Sequence, residues 1–334
     1  MHINLTRISI DVSDNDCIIY RFISIIFICI SITSFTYNIR FISTERHRLN
    51  PLALSLIVNS LVLTIFSSPY VLTQSIKCTP IQSYFICSSQ GFICFTCGIC
   101  VMYTMCLLSF IQYIRLFYNS TIIYRIINHK NSFLIPFLCW FISLLWSFPP
   151  YMNIKPGFMR EGQGFDCGLN WKRLDNESHI YMLLAFIFIY FLPLFCLLYT
   201  HIRMLIAIRK LVYRRYPIIS QTTKIMSIDM RHRFFHMFTI AESNRLKRLR
   251  IDRRFARATM ITVFYYILAW TPYAICGILQ IIFAMKYIHF QLPPMLLTLS
   301  ALIAKMAVIG QSCIYFYTIQ PANKRFSLTS ATLK

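Results

Sequence analysis

Residues 296–309, LLTLSALIAKMAVI, place a single lysine, Lys305, in the middle of an apolar run. A charged amine at the depth of a bilayer costs about 2.5–3.5 kcal/mol on insertion scales, so such a residue is usually paired, neutralised or used chemically. The chain has 11 acidic residues, and none of them falls in a stretch that is apolar enough to cross a membrane. The charge of Lys305 must therefore be balanced from a loop or by a ligand.

Seven stretches of the chain are apolar over about 20 residues or more, which is the length that a bilayer core requires. They lie approximately at residues 18–42, 50–76, 84–117, 132–152, 179–208, 256–284 and 292–319. Only helices and closed barrels satisfy their backbone polar groups in lipid, and these runs are too long and too uniformly apolar for barrel strands. The sequence therefore predicts an all-α fold, a seven-transmembrane helix bundle in the cell membrane.

The basic residues of the chain predict its orientation in the membrane. From Arg203 to Arg257 there are 15 Lys and Arg residues against three acidic ones, within a formal net charge of +22. Because loops rich in Lys and Arg stay in the cytoplasm, we expect the N-terminus outside and the C-terminus inside. The predicted organisation is an extracellular segment 1–17, a membrane domain 18–320 with a basic cytoplasmic loop at about 209–255, and a cytoplasmic tail 321–334.

The same charge distribution bears on partners and modification. Anionic lipid headgroups explain a basic cytoplasmic face without any nucleic acid, and a cytosolic signalling partner would meet the same face. Two glycosylation sequons, at Asn4 and Asn176, fall on the predicted outer side. A third, at Asn119, falls on the predicted cytoplasmic side, where it should stay unmodified.

The 13 cysteines are an odd number, so they cannot all be paired. Cys94, Cys97 and Cys100 have a spacing that spreads them around a helix, so we interpret them as packing residues and predict no metal site. Disulfides persist in an oxidising compartment. Four cysteines lie near the predicted outer face, and the residues alone leave their pairing open: Cys17, Cys78, Cys87 and Cys167.

The sixth apolar stretch contains FYYILAWTPY at residues 264–273. Pro272 removes a backbone donor and kinks a helix, which would turn Trp270 toward the core of a bundle. Seven spans with this topology and this motif resemble the rhodopsin-like (class A) G-protein-coupled receptors.

Within that family the chain is similar to the opsins, and among them to melanopsin-like and invertebrate forms. Lys305, in AKMA at residues 304–307, looks like the lysine that binds retinal, and Tyr315 stands at the family's helix-seven tyrosine. The stretch WFISLLWSFPPY at residues 140–151 is similar to the opsin fourth helix and its exit. Glu161 lies six residues before Cys167, as in the loop that supplies the opsin counterion. The spacing to these landmarks favours a disulfide between Cys87 and Cys167.

This resemblance implies a photoreceptor, not an enzyme, that holds retinal as a Schiff base on Lys305. A protonated Schiff base is a buried cation, and an opposite charge nearby favours it. Glu161 is the candidate counterion and Asp166 the alternative. Gln90, also expected at the retinal site, takes the place where vertebrate visual opsins carry a glutamate; being neutral, it can hydrogen-bond but cannot balance the cation. The residues expected to line the retinal pocket are Trp270, Tyr273, Gly91, Phe186 and Phe191.

Several positions depart from the family pattern on the side expected to signal. The acidic-Arg-Tyr triplet of helix three reads IQY at residues 111–113, and Asn-Pro-x-x-Tyr of helix seven reads QSCIY at residues 311–315. Ser60 stands at a usual aspartate and His201 at a usual tyrosine. The residues expected on the signalling face are Gln112, Tyr113, Tyr315 and Asp252. Because the arginine of the triplet is missing, the resemblance leaves coupling to a heterotrimeric G protein open.

Three hypotheses follow. The first is an opsin-like photoreceptor with retinal on Lys305 that passes a light signal to a cytoplasmic partner. The second is a receptor for a diffusible ligand, in which Lys305 binds an anionic group. The third is a retinal photoisomerase, similar to retinochrome, that does not signal.

Overall fold

The computed structural model describes residues 14–45, 50–118, 133–152, 154, 156–173, 175–213, 228–285 and 292–319. Within these ranges, seven helical stretches are long and apolar enough to cross a membrane, which confirms the predicted fold class. The helices are α1 (Asp14–Glu45), α2 (Pro51–Phe66), α3 (Ser68–Lys77), α4 (Tyr84–Tyr118), α5 (Leu134–Tyr151), α6 (Asn176–Ala185), α7 (Leu192–Tyr213), α8 (Ile228–Met285) and α9 (Pro294–Ile319). The predicted placement of the termini on the two sides of the membrane remains an expectation.

The second predicted span is broken into two helices, α2 and α3, at Ser67. Helix α2 begins where the Asn50 side chain accepts a hydrogen bond from the Leu52 N–H and where Pro51 takes the first helical position. Pro69 in the first turn of α3 lacks an N–H group and cannot continue the ladder of α2. The Ser68 hydroxyl donates to the Leu63 carbonyl, at 3.3 Å, across the break.

The fifth span is continuous but changes geometry midway. Between α6 and α7, residues Phe186–Phe191 form a π-helical turn, directly before Pro193 in the first turn of α7. A missing proline N–H and a π-turn are both recognised causes of local irregularity in a helix. This turn carries Phe186, one of the residues expected to line the pocket.

Helix α8 extends into the segment predicted to be a loop. The sequence predicts a span at residues 256–284 and a loop at about 209–255, whereas the backbone is helical from Ile228 onward. The physical reason is local, because residues 228–271 contain neither Gly nor Pro and are rich in Arg, which favours helix. A basic, polar composition kept this stretch out of the membrane prediction, but it does not prevent a helix.

A short β-ribbon is the exception to the predicted all-α fold. Strand β1 (Phe158–Glu161) pairs antiparallel with β2 (Asp166–Leu169), so that Phe158 faces Leu169 and Glu161 faces Asp166. The four-residue connection GQGF contains Gly162 and Gly164 at φ values of +53° and +83°, a region that glycine occupies at little cost. The turn closes the ribbon with two acidic residues opposite each other.

The chain divides into two compact units. The first comprises Met1–Thr104, Phe133–Phe191 and Phe264–Cys313, and the second comprises Met105–Ser132, Leu192–Val263 and Ile314–Lys334. The ribbon belongs to the first unit, where Phe158, Leu169, Trp171 and Met182 form a buried cluster. Lys305 lies in the same unit.

Within the first unit, a disulfide, a hydrogen bond and an aromatic contact attach the ribbon to α4, α9 and α1. A disulfide joins Cys167 of β2 to Cys87 of α4, which is the pairing that the opsin resemblance favours. The N–H of Gln163 donates to the Thr298 hydroxyl of α9 at 3.0 Å. The ring of Phe165 packs edge-on against Tyr20 of α1, with 5.1 Å between centroids. The ribbon therefore forms a fixed lid over these helices.

A second disulfide, Cys17–Cys78, joins α1 to the residue that follows α3, with 5.9 Å between the Cα atoms. Cys78 has a φ of +53°, in the left-handed region that ends many helices. All four cysteines of the predicted outer face are therefore paired, which settles the choice that their positions left open.

Candidate functional site

Lys305 is buried in α9, with 7% of its surface exposed. Its amine forms an ion pair with the Oδ1 atom of Asp166, which is itself fully buried at the start of β2. The same oxygen accepts the N–H of Cys167 at 2.7 Å. The charge of the lysine is thus balanced by a loop carboxylate, as the absence of acidic residues from the apolar stretches requires.

Glu161 lies opposite Asp166 in the ribbon but makes different contacts. Its Oε1 atom accepts hydrogen bonds from the Trp171 indole at 3.0 Å and from the Tyr273 hydroxyl at 2.7 Å. Burial, and next the charge of Asp166, raise the pKa of Glu161 to about 7, although these two hydrogen bonds and Lys305 lower it. The lysine contact assigned to Glu161 by the resemblance is made here by Asp166, the alternative.

Glycine at position 168 makes room for the Glu161 side chain. A Cβ atom at Gly168 would overlap the Glu161 carboxylate. Gly91 of α4 plays a similar part, because a Cβ there would lie 2.7 Å from the Phe158 ring. Gly91 is therefore the point where the lid packs closely on α4.

A cavity extends from the lysine into the first unit. Its empty space, including the part open to the exterior, is about 460 Å³. Its lining is mostly apolar, and Lys305 is the one cation among the described residues that line it. Those that bear on the argument are Cys94, Phe95, Glu161, Asp166, Trp270 and Tyr273.

A second cavity, of about 570 Å³ by the same measure, adjoins the first and is walled by aromatic residues of α8 and the fifth span, including Phe186, Tyr190 and Tyr266. The two cavities share Phe95, Leu169, Trp270 and Tyr273. Trp270 stacks on Tyr266 and meets Tyr273 edge-on, with centroid separations of 5.4 and 6.0 Å. The two cavities are therefore neighbours with shared, mostly aromatic walls, and the first contains the Lys305 amine.

The structure brings most of the expected site residues together. Lys305, Glu161, Trp270, Tyr273 and Gly91 all line the first cavity, and Phe186 lines the second. Phe191 does not line either cavity but contacts Phe186, at 6.4 Å between centroids.

Gln90 occupies a different position. It is buried, at 2% exposure, but does not line either cavity, and its amide makes no hydrogen bond within the described part of the chain. Sequence reasoning missed Trp171, Cys94 and Phe95 as site residues. Nothing in the sequence pattern indicated the ribbon, whose two short strands flank GQGF and bring Trp171, two residues after β2, back over Glu161.

The expected signalling residues described by the structure belong to the second unit. The Thr259 hydroxyl of α8 donates to the Gln112 side-chain oxygen of α4 at 2.8 Å. Tyr113 lies near Tyr199, at 6.5 Å between ring centroids, and the buried Tyr315 packs edge-on against Phe316. Asp252 lies on the α8 backbone, but its side chain is outside the described residues, as is all of Asn4.

Ser60 and His201, which also depart from the family pattern, each have a hydrogen-bonding neighbour in the structure. Ser60 donates to the Ile309 carbonyl at 2.7 Å and accepts from the Asn38 amide at 3.1 Å. In the second unit, His201 lies 3.3 Å from the Ser109 hydroxyl. Neutral hydrogen bonds thus stand at both positions. Asn176 is exposed at the first residue of α6, as a glycosylation site must be.

A known family of membrane receptors matches most of this chain. A family profile described as "7 transmembrane receptor (rhodopsin family)" matches residues 37–313. The chain belongs to this receptor family. It is a multi-pass membrane protein, and its similarity to opsins confirms the resemblance in the sequence.

Three curated relatives illustrate that similarity. Melanopsin-A of Danio rerio is 24% identical over 221 residues, which are 66% of this chain and 34% of the relative. The compound eye opsin BCRH1 of Hemigrapsus sanguineus is 26% identical over 234 residues, which are 70% and 55% of the two chains. Pinopsin of Gallus gallus is 23% identical over 281 residues, which are 84% and 69%. The receptor thus spans about a third and about half of the first two relatives.

The fold matches that of squid rhodopsin with a TM-score of 0.70, over 95% of this chain and 81% of that chain. The two sequences are 17% identical, so this likeness concerns the fold alone.

Proposed function

We propose that the receptor is an opsin-like photoreceptor that holds retinal covalently at the Lys305 amine. The observation that carries this proposal is a buried lysine, paired with a lid carboxylate, in a cavity that shares aromatic walls with a second cavity. When bound, retinal supplies the absorption of visible light and the light-driven change of shape, through a Schiff base with the lysine.

The residues present fit such a group. Lys305 offers the nucleophilic nitrogen, and the two neighbouring cavities offer apolar and aromatic walls for a long unsaturated chain. The lid closes the lysine end, where Asp166 and Glu161 face the cavity. The lysine nitrogen and the mostly apolar walls therefore suit an apolar aldehyde better than a polar ligand.

The lid acids have a definite part in forming the linkage. The Lys305 nitrogen must give up a proton before it attacks a carbonyl carbon, and the buried carboxylates are the acceptors at hand. With retinal bound, the same nitrogen would be a buried cation when protonated, and the lid carboxylate beside it would balance that charge.

Trp270 connects this space to α8. Its ring lies between Tyr266 and Tyr273 on the same helix and forms a wall of both cavities. A change of ligand shape against this ring would favour one arrangement of α8 over another, and a ligand shifts an equilibrium only through such differential contacts.

The deciding experiment is reconstitution of the purified receptor with 11-cis-retinal, followed by spectra before and after illumination. We expect a visible band that changes on illumination and a borohydride-trapped adduct at position 305. Lys305→Ala should abolish both, whereas the exposed lid lysine variant Lys172→Ala should keep both. Colourless wild-type protein without an adduct contradicts the proposal.

The other two hypotheses separate from this one by simple observations. A diffusible anionic ligand would have to displace Asp166 from an amine that is already paired, and this pairing speaks against that function. A retinal photoisomerase would show the band but no light-dependent nucleotide exchange on a G protein. We propose signalling through a cytoplasmic partner, and that exchange assay is its test.

A further inference from the structure

The lid presents two carboxylates to one cation. In the antiparallel register Glu161 and Asp166 are direct partners, so their side chains leave the ribbon on the same face, and like charges in such a pair repel each other. Both residues are buried and line the cavity that contains Lys305. One ammonium can balance one carboxylate, so the pair is stable when the second carboxyl group carries a proton.

The contacts distinguish the two acids. Asp166 is in direct ion contact with Lys305 and also accepts the Cys167 N–H, so a cation and a backbone donor both meet its Oδ1 atom. Glu161 receives its bonds from the neutral donors Trp171 and Tyr273, both on one oxygen, Oε1. A protonated carboxyl group keeps acceptor capacity at its carbonyl oxygen, so both bonds survive protonation.

We propose that the lid divides the work of a counterion between two residues: Asp166 is the ion partner of the Lys305 nitrogen, and Glu161 holds the exchangeable proton. The division exists in the protein without retinal, and only its optical consequence rests on the proposed function. Because Glu161 already carries a proton, the lysine proton passes to the ionised Asp166 in contact with the amine, and it returns from there.

The groups that face Glu161 set its proton affinity. Asp166 of β2 raises that affinity by repulsion, and Lys305 of α9 lowers it. Tyr273 of α8 and Trp171 lower it by donating hydrogen bonds, and Cys94 of α4 lines the same cavity. Arg160, the neighbour of Glu161 on β1, turns away and donates to the Gln82 carbonyl at 3.2 Å. Removing the Asp166 charge should therefore have the largest effect.

The test without retinal is an infrared titration of the carboxyl band in purified protein. We expect a protonated carboxyl group that is lost with a midpoint near pH 7, which is the pKa of Glu161. Glu161→Gln should remove this band. Asp166→Asn should move its midpoint to lower pH by about one unit or more, because the remaining acid then takes over the lysine.

A band that survives in Glu161→Gln and disappears in Asp166→Asn would reverse the assignment and overturn the proposal. If Asp166→Asn does not fold, Asp166→Glu and Lys305→Met replace it. Asp166→Glu should leave the titration close to wild type. Lys305→Met removes the cation and should keep carboxyl groups protonated to higher pH; an unchanged titration in Lys305→Met also overturns the proposal.

The optical test uses the protein loaded with retinal. Asp166→Asn should lower the pH at which the visible band of the protonated form is lost, by about one unit or more, and Glu161→Gln should change it less than half as much. The reverse order overturns the proposal. Colourless wild-type protein would defeat the proposed function alone, since the infrared assignment stands or falls without it.

Discussion

Glu161 links the stability of the receptor to pH. Its pKa is about 7 in the folded protein against an ordinary value of 4.5, so the folded state binds this proton more tightly than the unfolded state. Its stabilising contribution is fully present below the ordinary pKa and is lost as pH rises through about 7. The size of the effect is on the order of a few kcal/mol.

We therefore predict that the retinal-free receptor in detergent loses thermal stability between about pH 5 and about pH 8, and that Glu161→Gln loses much less. The measurement is the unfolding midpoint of both proteins at the two pH values. Equal slopes in wild type and variant would mean that Glu161 is ionised throughout, against the burial and repulsion that raise its pKa.

Gly98 of α4 sets the position of the Trp270 ring. A Cβ atom at Gly98 would lie 2.7 Å from the Cη2 atom of that ring, so Gly98→Ala must displace it. Overpacking of this kind costs about 1–3 kcal/mol. In Gly277→Ala the new carbon would meet its neighbours at 3.4 Å, an ordinary contact, and alanine favours a helix by up to about 1 kcal/mol.

The predicted outcome is a lower unfolding midpoint for Gly98→Ala and an unchanged or higher one for Gly277→Ala. Tryptophan fluorescence of the same samples should change in the first variant only. If both alanines behave alike, Trp270 is free to move at no cost, and its proposed role as a fixed wall of the cavities fails.

At the scale of elements, hydropathy predicted the seven spans because lipid demands about 20 apolar residues from each of them. It could not find the β-ribbon, since strands of four residues between two glycines leave no periodic signal. It also missed the start of α8 at Ile228, because a basic helix has no apolar run.

The ribbon explains why the candidate site was predicted only in part. The spacing of Glu161 and Cys167 identified the loop, and the lysine identified the cavity. Which acid meets the amine depends on strand register, because a shift by one residue would turn the other face of the ribbon inward. No spacing along the chain carries that information.

Between α4 and α8 a neutral bond stands where the family has an arginine. The Thr259 hydroxyl lies 2.8 Å from the Gln112 side-chain oxygen and 2.8 Å from the Phe255 carbonyl of its own helix, so the two acceptors share its one proton. Thr200 of α7 is a matched control, since its hydroxyl bonds the carbonyls of Cys196 and Leu197 in its own helix. The difference between the two threonines is the bond to another helix.

We predict that Thr259→Val lowers stability by about 1 kcal/mol and speeds amide hydrogen exchange in the part of α8 around residue 259. Thr200→Val should change neither quantity as much. Indistinguishable exchange in the two variants would show that the Gln112 bond does not hold α8.

For the whole molecule, Lys305, the ribbon and Trp270 belong to the first unit, whereas Gln112 and His201, two of the departures from the family pattern, belong to the second. Low identity with squid rhodopsin is compatible with a common fold, because a membrane helix requires apolar character more than particular side chains.

The orientation of the receptor is the last expectation open to test, and it follows from charge. The 15 basic residues from Arg203 to Arg257 belong in the cytoplasm, which places Asn4, Asn176 and both disulfides outside and Asn119 inside. In animal cells, we predict a glycosidase-sensitive mass shift that is lost in the double variant Asn4→Gln/Asn176→Gln and kept in Asn119→Gln.

An epitope at the N-terminus should also be stained in intact cells, and one at the C-terminus only after permeabilisation. The two measurements are independent, because an unused sequon does not affect antibody access. A shift lost in Asn119→Gln, or staining of the C-terminus in intact cells, would place the basic segment outside. The lid would then face the reducing cytoplasm, where disulfides such as Cys87–Cys167 rarely persist, so the charge rule and the two disulfides require the same orientation.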